Sequence, residues 1–188
     1  MNAVNQKIEH PRPEEASESF PPICAPDAGI LVLGSMPGVQ SLQAQQYYAH
    51  PRNAFWPILM QVLGVVTEYG APLPSYEARV QYMRQHRIAV WDVLQYCERP
   101  GSLDASIRRD TMVLNDFGAF LQQHPRIRRI CFNGATAATL FERHAAPGLE
   151  QAALLPPERL RLPSTSPAHA GMTRQDKLKA WRSALADS

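Results

Sequence analysis

Cysteine is scarce in this sequence, and long hydrophobic runs are absent. The three cysteines, Cys24, Cys97 and Cys131, are far apart and odd in number, so they predict neither a disulfide framework nor a Cys-x-x-Cys metal site. Buried or incidental thiols are the expected alternative. No apolar stretch approaches the roughly 20 residues that a membrane-spanning helix requires. These absences argue against a disulfide-rich secreted scaffold and against a transmembrane protein.

Neither sign of charge is in large excess, and the N-terminus lacks the apolar centre of a secretory signal. The net charge of +2 and the pI of 8.5 permit nucleic-acid binding without demanding it. Residues 1–27 are rich in Pro and Glu and have no hydrophobic periodicity, which predicts a flexible N-terminal tail. Residues 28–188 are expected to form one domain, because a chain that is 45% hydrophobic can bury a sizeable core. We expect a cytoplasmic protein.

Apolar runs typical of buried strands alternate along the chain with stretches of helical periodicity. The predicted strands cover residues 30–33, 88–93, 128–132 and 159–162, and the predicted helices cover residues 54–63, 75–85, 110–123, 135–143 and 173–185. Residues 95–106 and 148–158 have the turn signals of connecting loops. This alternation predicts an α/β fold, a three-layer α/β/α sandwich around a central four-stranded parallel sheet.

A polar segment follows each predicted strand. The four segments are the turn Gly-Ser-Met-Pro-Gly at 34–38, Asp92, the pair Asn133-Gly134, and Pro-Ser-Thr-Ser-Pro-Ala-His-Ala at 163–170. The carboxyl ends of parallel strands share one edge of a sheet, and ligands bind there in open α/β folds. The four segments are therefore expected to converge on one cleft.

Aromatic side chains, an imidazole and an amide follow the first of these turns. Within ten residues the chain has Tyr47, Tyr48, His50, Asn53, Phe55 and Trp56. Pro57 is tolerated only in the first turn of the helix that follows, so the helix begins near Asn53, which becomes the expected N-cap. Flat aromatic faces beside polar groups suit a flat, polar ligand, and we interpret this loop as a nucleobase site.

The order and spacing of these segments resemble the uracil-DNA glycosylase superfamily from residue 30 onward. The turn at 34–38 is similar to its first motif, Phe132-Asn133-Gly134 to its third strand end, and residues 163–170 to its second motif, a loop that presses into the DNA minor groove. Gly-Ser-Met-Pro-Gly, Tyr-Tyr-Ala-His-Pro and Ser-Thr-Ser-Pro-Ala look most like the sixth family, the DNA-deoxyinosine (hypoxanthine-DNA) glycosylases. The resemblance implies a uracil-DNA glycosylase-like fold and hydrolysis of the N-glycosidic bond of a flipped deaminated base, hypoxanthine, in base excision repair.

The sequence departs at two points from the branches of this superfamily that excise uracil. Those branches have Asp, Asn or Glu inside the first motif, where this chain has Ser35 and Met36, and a thioether cannot orient a water nucleophile. Ser164 stands where the second motif of the best-known uracil enzymes has histidine, and His169 lies further along. The four cysteines of the iron–sulfur branches are missing. These departures argue against efficient uracil excision.

The resemblance and the chemistry of base excision together suggest a role for each catalytic and base-binding candidate. Tyr48 is expected to stack on the base, and Asn53 is expected to position water in place of Met36. His169 is a second catalytic candidate that could protonate the base or touch a phosphate. Asn133 is expected to bond the polar edge of the base, and Asp92 to accept its N1–H.

Gly34, Ser35 and Met36 are expected to shape the base pocket through their backbone. Candidate DNA contacts are Ser164, Thr165, Ser166, His169 and Met172. Structural alternatives stay open at this point: loop packing for Tyr48, a helix cap alone for Asn53, a turn residue for Asn133 and backbone bonding for Asp92. His50 is expected to order the loop before Pro51.

Two other functions remain open from the sequence. One is a mismatch-specific uracil or thymine glycosylase, which is favoured by Phe132-Asn133-Gly134 and by the run from His50 to Trp56. The other is a non-catalytic nucleic-acid-binding module on the same fold, which is favoured by Met36 because a thioether cannot position water. No lysine lies in the motif loops to form a Schiff base, so a monofunctional enzyme without lyase activity is expected. We expect no metal or cofactor, DNA with a deaminated base as the partner, no membrane association, and a monomer.

Overall fold

The computed structural model describes residues 16–68, 70–101 and 103–186. Its strands are β1 (Ala16–Glu18), β2 (Ile30–Gly34), β3 (Ile88–Asp92), β4 (Leu94–Glu98), β5 (Val113–Leu114), β6 (Arg129–Asn133) and β7 (Glu158–Leu162). Its α-helices are α1 (Val39–Ala44), α2 (Phe55–Val62), α3 (Tyr76–Gln85), α4 (Phe117–Gln123), α5 (Ala135–His144), α6 (Ala146–Gln151) and α7 (Arg174–Leu185). Two 3₁₀ turns, Asp104–Ser106 and Arg109–Thr111, precede β5.

Four parallel strands form the central sheet in the order β3-β2-β6-β7. The register places Gly34 beside Asp92 and Asn133 beside Leu162, so the carboxyl ends of the strands meet at one edge. This arrangement confirms the predicted four-stranded parallel sheet. The predicted strands agree with the observed ones to within a residue at each end.

Helices cover the sheet on both faces, as the burial of every residue in β2 and β3 requires. On one side, α4 and α5 contact the sheet through aromatic pairs that link Trp91 to Phe117 and Phe132 to Phe141. Helices α2 and α7 pack against each other, with the Phe55 and Trp181 rings 5.8 Å apart. The α/β/α architecture predicted from the alternating pattern is therefore confirmed.

A second, antiparallel sheet of β1, β4 and β5 lies beside the main one. It corrects two predictions, because the expected loop 95–106 begins within β4 and the expected helix 110–123 begins only at Phe117. Asp116 starts that helix by accepting the Ala119 N–H at 2.9 Å. The residues before it pair with β4 instead. A third correction concerns residues 148–158, since α6 occupies residues up to Gln151 with Pro147 in its first turn.

Residues 16–27 pack against the rest of the protein, which corrects the predicted flexible tail over that range. β1 pairs with β4, and Ile23 is buried beside Val90. The Phe20 carbonyl accepts hydrogen bonds from the Tyr47 hydroxyl and from Trp91 Nε1. The part of the prediction that concerns residues 1–15 lies outside the described residues.

One large apolar cluster extends from Ile23 to Leu185. Within the described ranges, none of the helices has the length and apolar character needed to cross a membrane.

Candidate active site

Gly34, Asp92 and Tyr48 meet at the carboxyl edge of the central sheet. A Cβ added to Gly34 would lie 2.4 Å from Asp92 Oδ1 and 3.0 Å from the Tyr48 hydroxyl oxygen. Glycine is therefore required at the end of β2, because any side chain would collide with the Asp92 carboxyl group. The structure thus brings together three of the residues that the strand-end argument grouped.

Asn133, at the end of β6, is bound to the second-motif loop by both atoms of its amide. Its Oδ1 accepts the Thr165 backbone N–H at 2.9 Å, and its Nδ2 donates to Thr165 Oγ1 at 2.8 Å. Thr165 is only 1% exposed. Its hydroxyl therefore orients the loop, which corrects its expected role as a DNA contact. Asn133 keeps one N–H and one lone pair for another partner.

Asn53 lies where the aromatic loop meets the second-motif loop. Its Oδ1 accepts the Phe55 N–H at 3.0 Å and so satisfies the first N–H of α2. The N-cap itself is Ala54, so the predicted N-cap position is wrong by one residue. The next residue, Ala54, donates its N–H to the Thr165 carbonyl at 3.0 Å. His50 Nδ1 accepts the Arg52 N–H at 3.0 Å, and its carbonyl accepts the Asn53 N–H at 2.8 Å, so His50 orders the loop as expected.

Tyr48 has one ring face covered and a buried hydroxyl. The Phe55 ring is stacked on it with centroids 3.8 Å apart and an angle of 23° between the planes. Among the described residues the hydroxyl has no hydrogen-bond partner. Burial, with a contribution from Asp92, raises the pKa of Tyr48 well above its usual range, and the nearby Asn133 side chain opposes this rise. The predicted stacking on a base would have to use the opposite ring face.

Asp92 is 2% exposed at the end of β3. Burial raises its pKa to about 7, and this rise is opposed by the Ser19 hydroxyl, which donates to Oδ2 at 2.9 Å, and by Arg99. The Asp92 carbonyl accepts from Asn115 Nδ2 at 2.8 Å. A carboxyl group that titrates near neutrality can either accept or donate a proton at a base edge.

Arg99 and Asp104 form hydrogen bonds with the turn at 34–38. Ser35 donates its hydroxyl to Asp104 Oδ1 at 2.7 Å. The buried Arg99 guanidinium donates to the carbonyls of Met36 and Pro37, and its Nε has no partner within the described part of the chain. The Met36 side chain packs in a small apolar cluster with Leu94 and Cys97, so any contact that this residue makes with a base would come from its backbone.

The second-motif loop is built from short local hydrogen bonds. Ser164 Oγ accepts the Ser166 N–H, and Ser166 Oγ accepts the Ala168 N–H, each at 3.2 Å. Lys177, buried on α7, donates to the His169 carbonyl at 2.7 Å. Beyond these bonds the loop becomes exposed, from residue 167 to Met172, which is 41% exposed.

Exposure leaves His169 and Met172 available for DNA, and Ser164 and Ser166 lie at the partly buried base of the loop. Their DNA contacts stay predictions, as does the catalytic role of His169.

Ser19, Arg99 and Asp104 are site residues that the sequence did not reveal. Arg99 precedes a Pro-Gly turn and Ser19 lies in a polar segment, so no local pattern marks either residue as buried or as a hydrogen-bond partner of the site.

No group of three or more His, Cys, Asp or Glu side chains in the described ranges could hold a metal. Burial raises the pKa of Cys131 to about 12 and that of Cys24 to about 11, which makes both thiols poor nucleophiles.

Comparison with known proteins identifies the class to which this fold and site belong. The family model of the uracil DNA glycosylase superfamily matches residues 21–187, so the chain belongs to that superfamily. It is similar to a hypoxanthine DNA glycosylase of Methanosarcina acetivorans, with 36% identity over 118 residues, 63% of this chain and 71% of the relative. It is also similar to a hypoxanthine DNA glycosylase of Methanosarcina barkeri, with 30% identity over 73% of this chain and 84% of the relative.

A solved structure has the same fold. The solution NMR structure of a Methanosarcina acetivorans protein, described as a candidate uracil DNA glycosylase, superposes with a TM-score of 0.72 at 30% identity. The similarity covers 90% of this chain and 96% of that protein.

Proposed function

We propose that this protein is a monofunctional DNA glycosylase that hydrolyses the N-glycosidic bond of a flipped, deaminated base, with hypoxanthine as its substrate base in base excision repair. The two curated relatives named hypoxanthine DNA glycosylase support this choice of base. One structural observation carries the proposal: Thr165 joins Asn133 to the loop that contains Asn53. The second-motif loop therefore connects Asn133, the candidate base-binding amide, with the segment that contains Asn53, the candidate water-positioning amide.

The reaction makes three demands on the protein. The C1′–N9 bond breaks with its electron pair leaving on the purine, and a water oxygen bonds to C1′ and loses a proton to solvent. Negative charge grows on the departing base while the sugar gains oxocarbenium character. The protein must hold the extruded nucleotide, orient the water and offer hydrogen-bond donors to the base.

Asn53 is the residue that we assign to the water. With the Phe55 N–H bound at Oδ1, the amide still has a lone pair and two N–H groups for a water molecule. The Met36 side chain cannot serve in its place, because it is buried with Leu94 and Cys97. An amide orients water without taking its proton, which is sufficient when departure of the base leads attack.

Asn133 and Asp92 are assigned to the base edge, with the backbone of Gly34, Ser35 and Met36 beside them. The remaining N–H and lone pair of Asn133 match the acceptors and the N1–H of hypoxanthine. Asp92 accepts N1–H when it is ionised. His169 is assigned to the leaving base or a phosphate. The DNA strand is assigned to Ser164, Ser166, His169 and Met172, as hydroxyls and backbone N–H groups in loops bind phosphates without reading sequence. A monomer and a cytoplasmic location stay predictions.

Labelled duplexes test the substrate directly. We expect release of the base from a duplex with inosine, slower or no release from uracil, and no action on an intact pair, each measured by alkaline cleavage at the abasic site. Strand cleavage before alkali would contradict a monofunctional enzyme. Faster action on uracil would favour a uracil glycosylase, and inactivity on all duplexes with retained binding would favour a non-catalytic module.

Two substitutions at Asn53 separate catalysis from helix capping. Asn53→Ala should lower single-turnover excision at least 100-fold and lower the free energy of unfolding by about 1 kcal/mol through loss of the cap. Asn53→Ser keeps a capping oxygen but not the longer amide, so we expect near-normal stability with the same loss of rate. Full activity in Asn53→Ser would show that Asn53 is a helix cap alone.

A further inference from the structure

The Tyr48 hydroxyl is an unsatisfied polar group buried at the edge where the proposed base would bind. No atom of the described residues makes a hydrogen bond with it. Buried hydroxyls without partners destabilise a fold, and those that persist in a native protein call for an explanation. The Tyr48 backbone also has φ +55°, a left-handed conformation that is uncommon for bulky residues. Both features are unfavourable for stability alone.

The neighbouring polar groups have partners of their own but keep some hydrogen-bonding capacity, namely Asp92 Oδ1 and one N–H and one lone pair of Asn133. Asp92 Oδ2 accepts from Ser19, and both amide atoms of Asn133 bond to Thr165. Gly34 lies next to the hydroxyl but offers no side-chain partner; a Cβ at this position would be 3.0 Å from the Tyr48 hydroxyl oxygen. The Tyr48 hydroxyl is therefore close enough to Asn133 for that amide to lower its pKa, yet it forms no hydrogen bond of normal geometry with the described residues.

The ring that carries this hydroxyl is held in position. Phe55 stacks on the Tyr48 ring at 3.8 Å, and Phe55 itself packs edge-on against Trp56 and Trp181 in the core. Burial keeps the pKa of Tyr48 above its usual range, so the hydroxyl keeps its proton at neutral pH. The result is a fixed hydrogen-bond donor without an acceptor.

We propose that the Tyr48 hydroxyl recognises the deaminated purine by donating a hydrogen bond to its 6-oxygen, so that the residue reads the base through its hydroxyl. This inference rests on the proposed function. Deamination of adenine replaces an amino group, a donor, with a carbonyl oxygen, an acceptor, and a phenol donates better than it accepts. The bond contributes to binding of the flipped base, and it strengthens in the transition state because negative charge grows on that oxygen as the base leaves.

A cycle that removes each partner in turn tests this contact. Tyr48→Phe removes the hydroxyl and keeps the ring, and a duplex with deoxynebularine supplies a purine without the 6-oxygen. We expect Tyr48→Phe to lower single-turnover release of hypoxanthine at least 10-fold and to leave release of purine from the deoxynebularine duplex unchanged. Its thermal midpoint should equal or exceed that of the wild type, because an unsatisfied buried hydroxyl is removed.

Tyr47→Phe is the matched control. The Tyr47 hydroxyl donates to the Phe20 carbonyl at 3.1 Å, so its loss should lower the thermal midpoint without changing the excision rate. If the wild type releases no hypoxanthine, the proposed function fails. If the wild type is active and Tyr48→Phe is equally fast, or loses the same factor on both substrates, the hydroxyl contact is refuted while the glycosylase stands.

If neither protein releases purine from the deoxynebularine duplex, the comparison is made by equilibrium binding of 2′-fluoro duplexes, which resist hydrolysis. Tyr48→Phe must then weaken binding of the hypoxanthine duplex more than that of the nebularine duplex. Equal effects on the two duplexes would overturn the inference.

Discussion

Asp92 illustrates at the scale of one residue how burial sets chemistry. Its folded pKa of about 7 exceeds the ordinary value of 3.8, chiefly because burial disfavours the carboxylate; Asp104 adds to the rise, whereas Ser19 and Arg99 oppose it. The folded state therefore binds this proton more tightly than the unfolded state. The contribution of Asp92 to stability is most favourable below pH 4 and declines as the pH rises to about 7.

Asp92→Asn should remove this pH dependence. The free energy of unfolding of the variant, relative to the wild type, should increase between pH 4 and pH 8 by an amount on the order of 1–4 kcal/mol. Urea unfolding at a series of pH values measures this difference. A difference that is constant across the range would mean that Asp92 does not titrate with a raised pKa in the folded protein.

At the scale of an element, the turn after β2 depends on a buried cation. Arg99 has a side chain that is 1% exposed, and it donates to the carbonyls of Met36 and Pro37. Asp104, 3.7 Å from the guanidinium, balances its charge and accepts the Ser35 hydroxyl. A turn that supplies backbone shape, with the Met36 side chain packed elsewhere, needs such a fixed support.

Arg99→Met should destabilise the protein by about 2–5 kcal/mol, because two buried carbonyls lose their donor. Arg87→Met is the control, since Arg87 forms an ion pair with Asp27 in which the two side chains are 58% and 42% exposed, and its loss should change stability by about 1 kcal/mol or less. Thermal and urea unfolding of the two variants provide the comparison. Equal losses would show that Arg99 gives the turn no special support.

The four strands of the main sheet were predictable from the sequence, whereas the short strands of the second sheet were not. The run from Ile30 to Leu33 predicts its strand by composition alone. Leu114, Phe117 and Phe120 have helical spacing, yet Leu114 pairs with β4 and the helix begins only after Asp116. Helical periodicity cannot reveal that the first residues of such a segment pair with a neighbouring strand instead. A strand as short as β5 also has too few residues to show an alternating pattern.

The same distinction applies to the site. Asp92 and Asn133 were predictable because each ends a buried strand and parallel strands end at one edge. Arg99 and Ser19 act through contacts with residues 62 and 73 positions away, respectively, and neither is marked by local sequence. The bonding of Asn133 to Thr165 was likewise unpredictable, because it depends on how the second-motif loop folds back on β6.

At the scale of the whole molecule, the N-terminal segment completes a site that is otherwise built from strand ends. Phe20 accepts hydrogen bonds from Tyr47 and Trp91, and Ile23 lies in the same apolar cluster as Leu185. Ser19, between β1 and these contacts, reaches Asp92. The environment of Asp92 is therefore complete only when this segment is packed against β3 and β4.

Ser19→Ala should change stability in a pH-dependent manner. The Ser19 hydroxyl stabilises the ionised form of Asp92 and lowers its pKa, so the substitution raises that pKa further. At pH 8, where Asp92 is ionised, the loss should be about 1.5–3 kcal/mol, and at pH 5, where the carboxyl is protonated, about 0.5–1.5 kcal/mol. In an Asp92→Asn background the loss should be the same at both pH values; a pH-dependent loss there would trace the effect to a group other than Asp92.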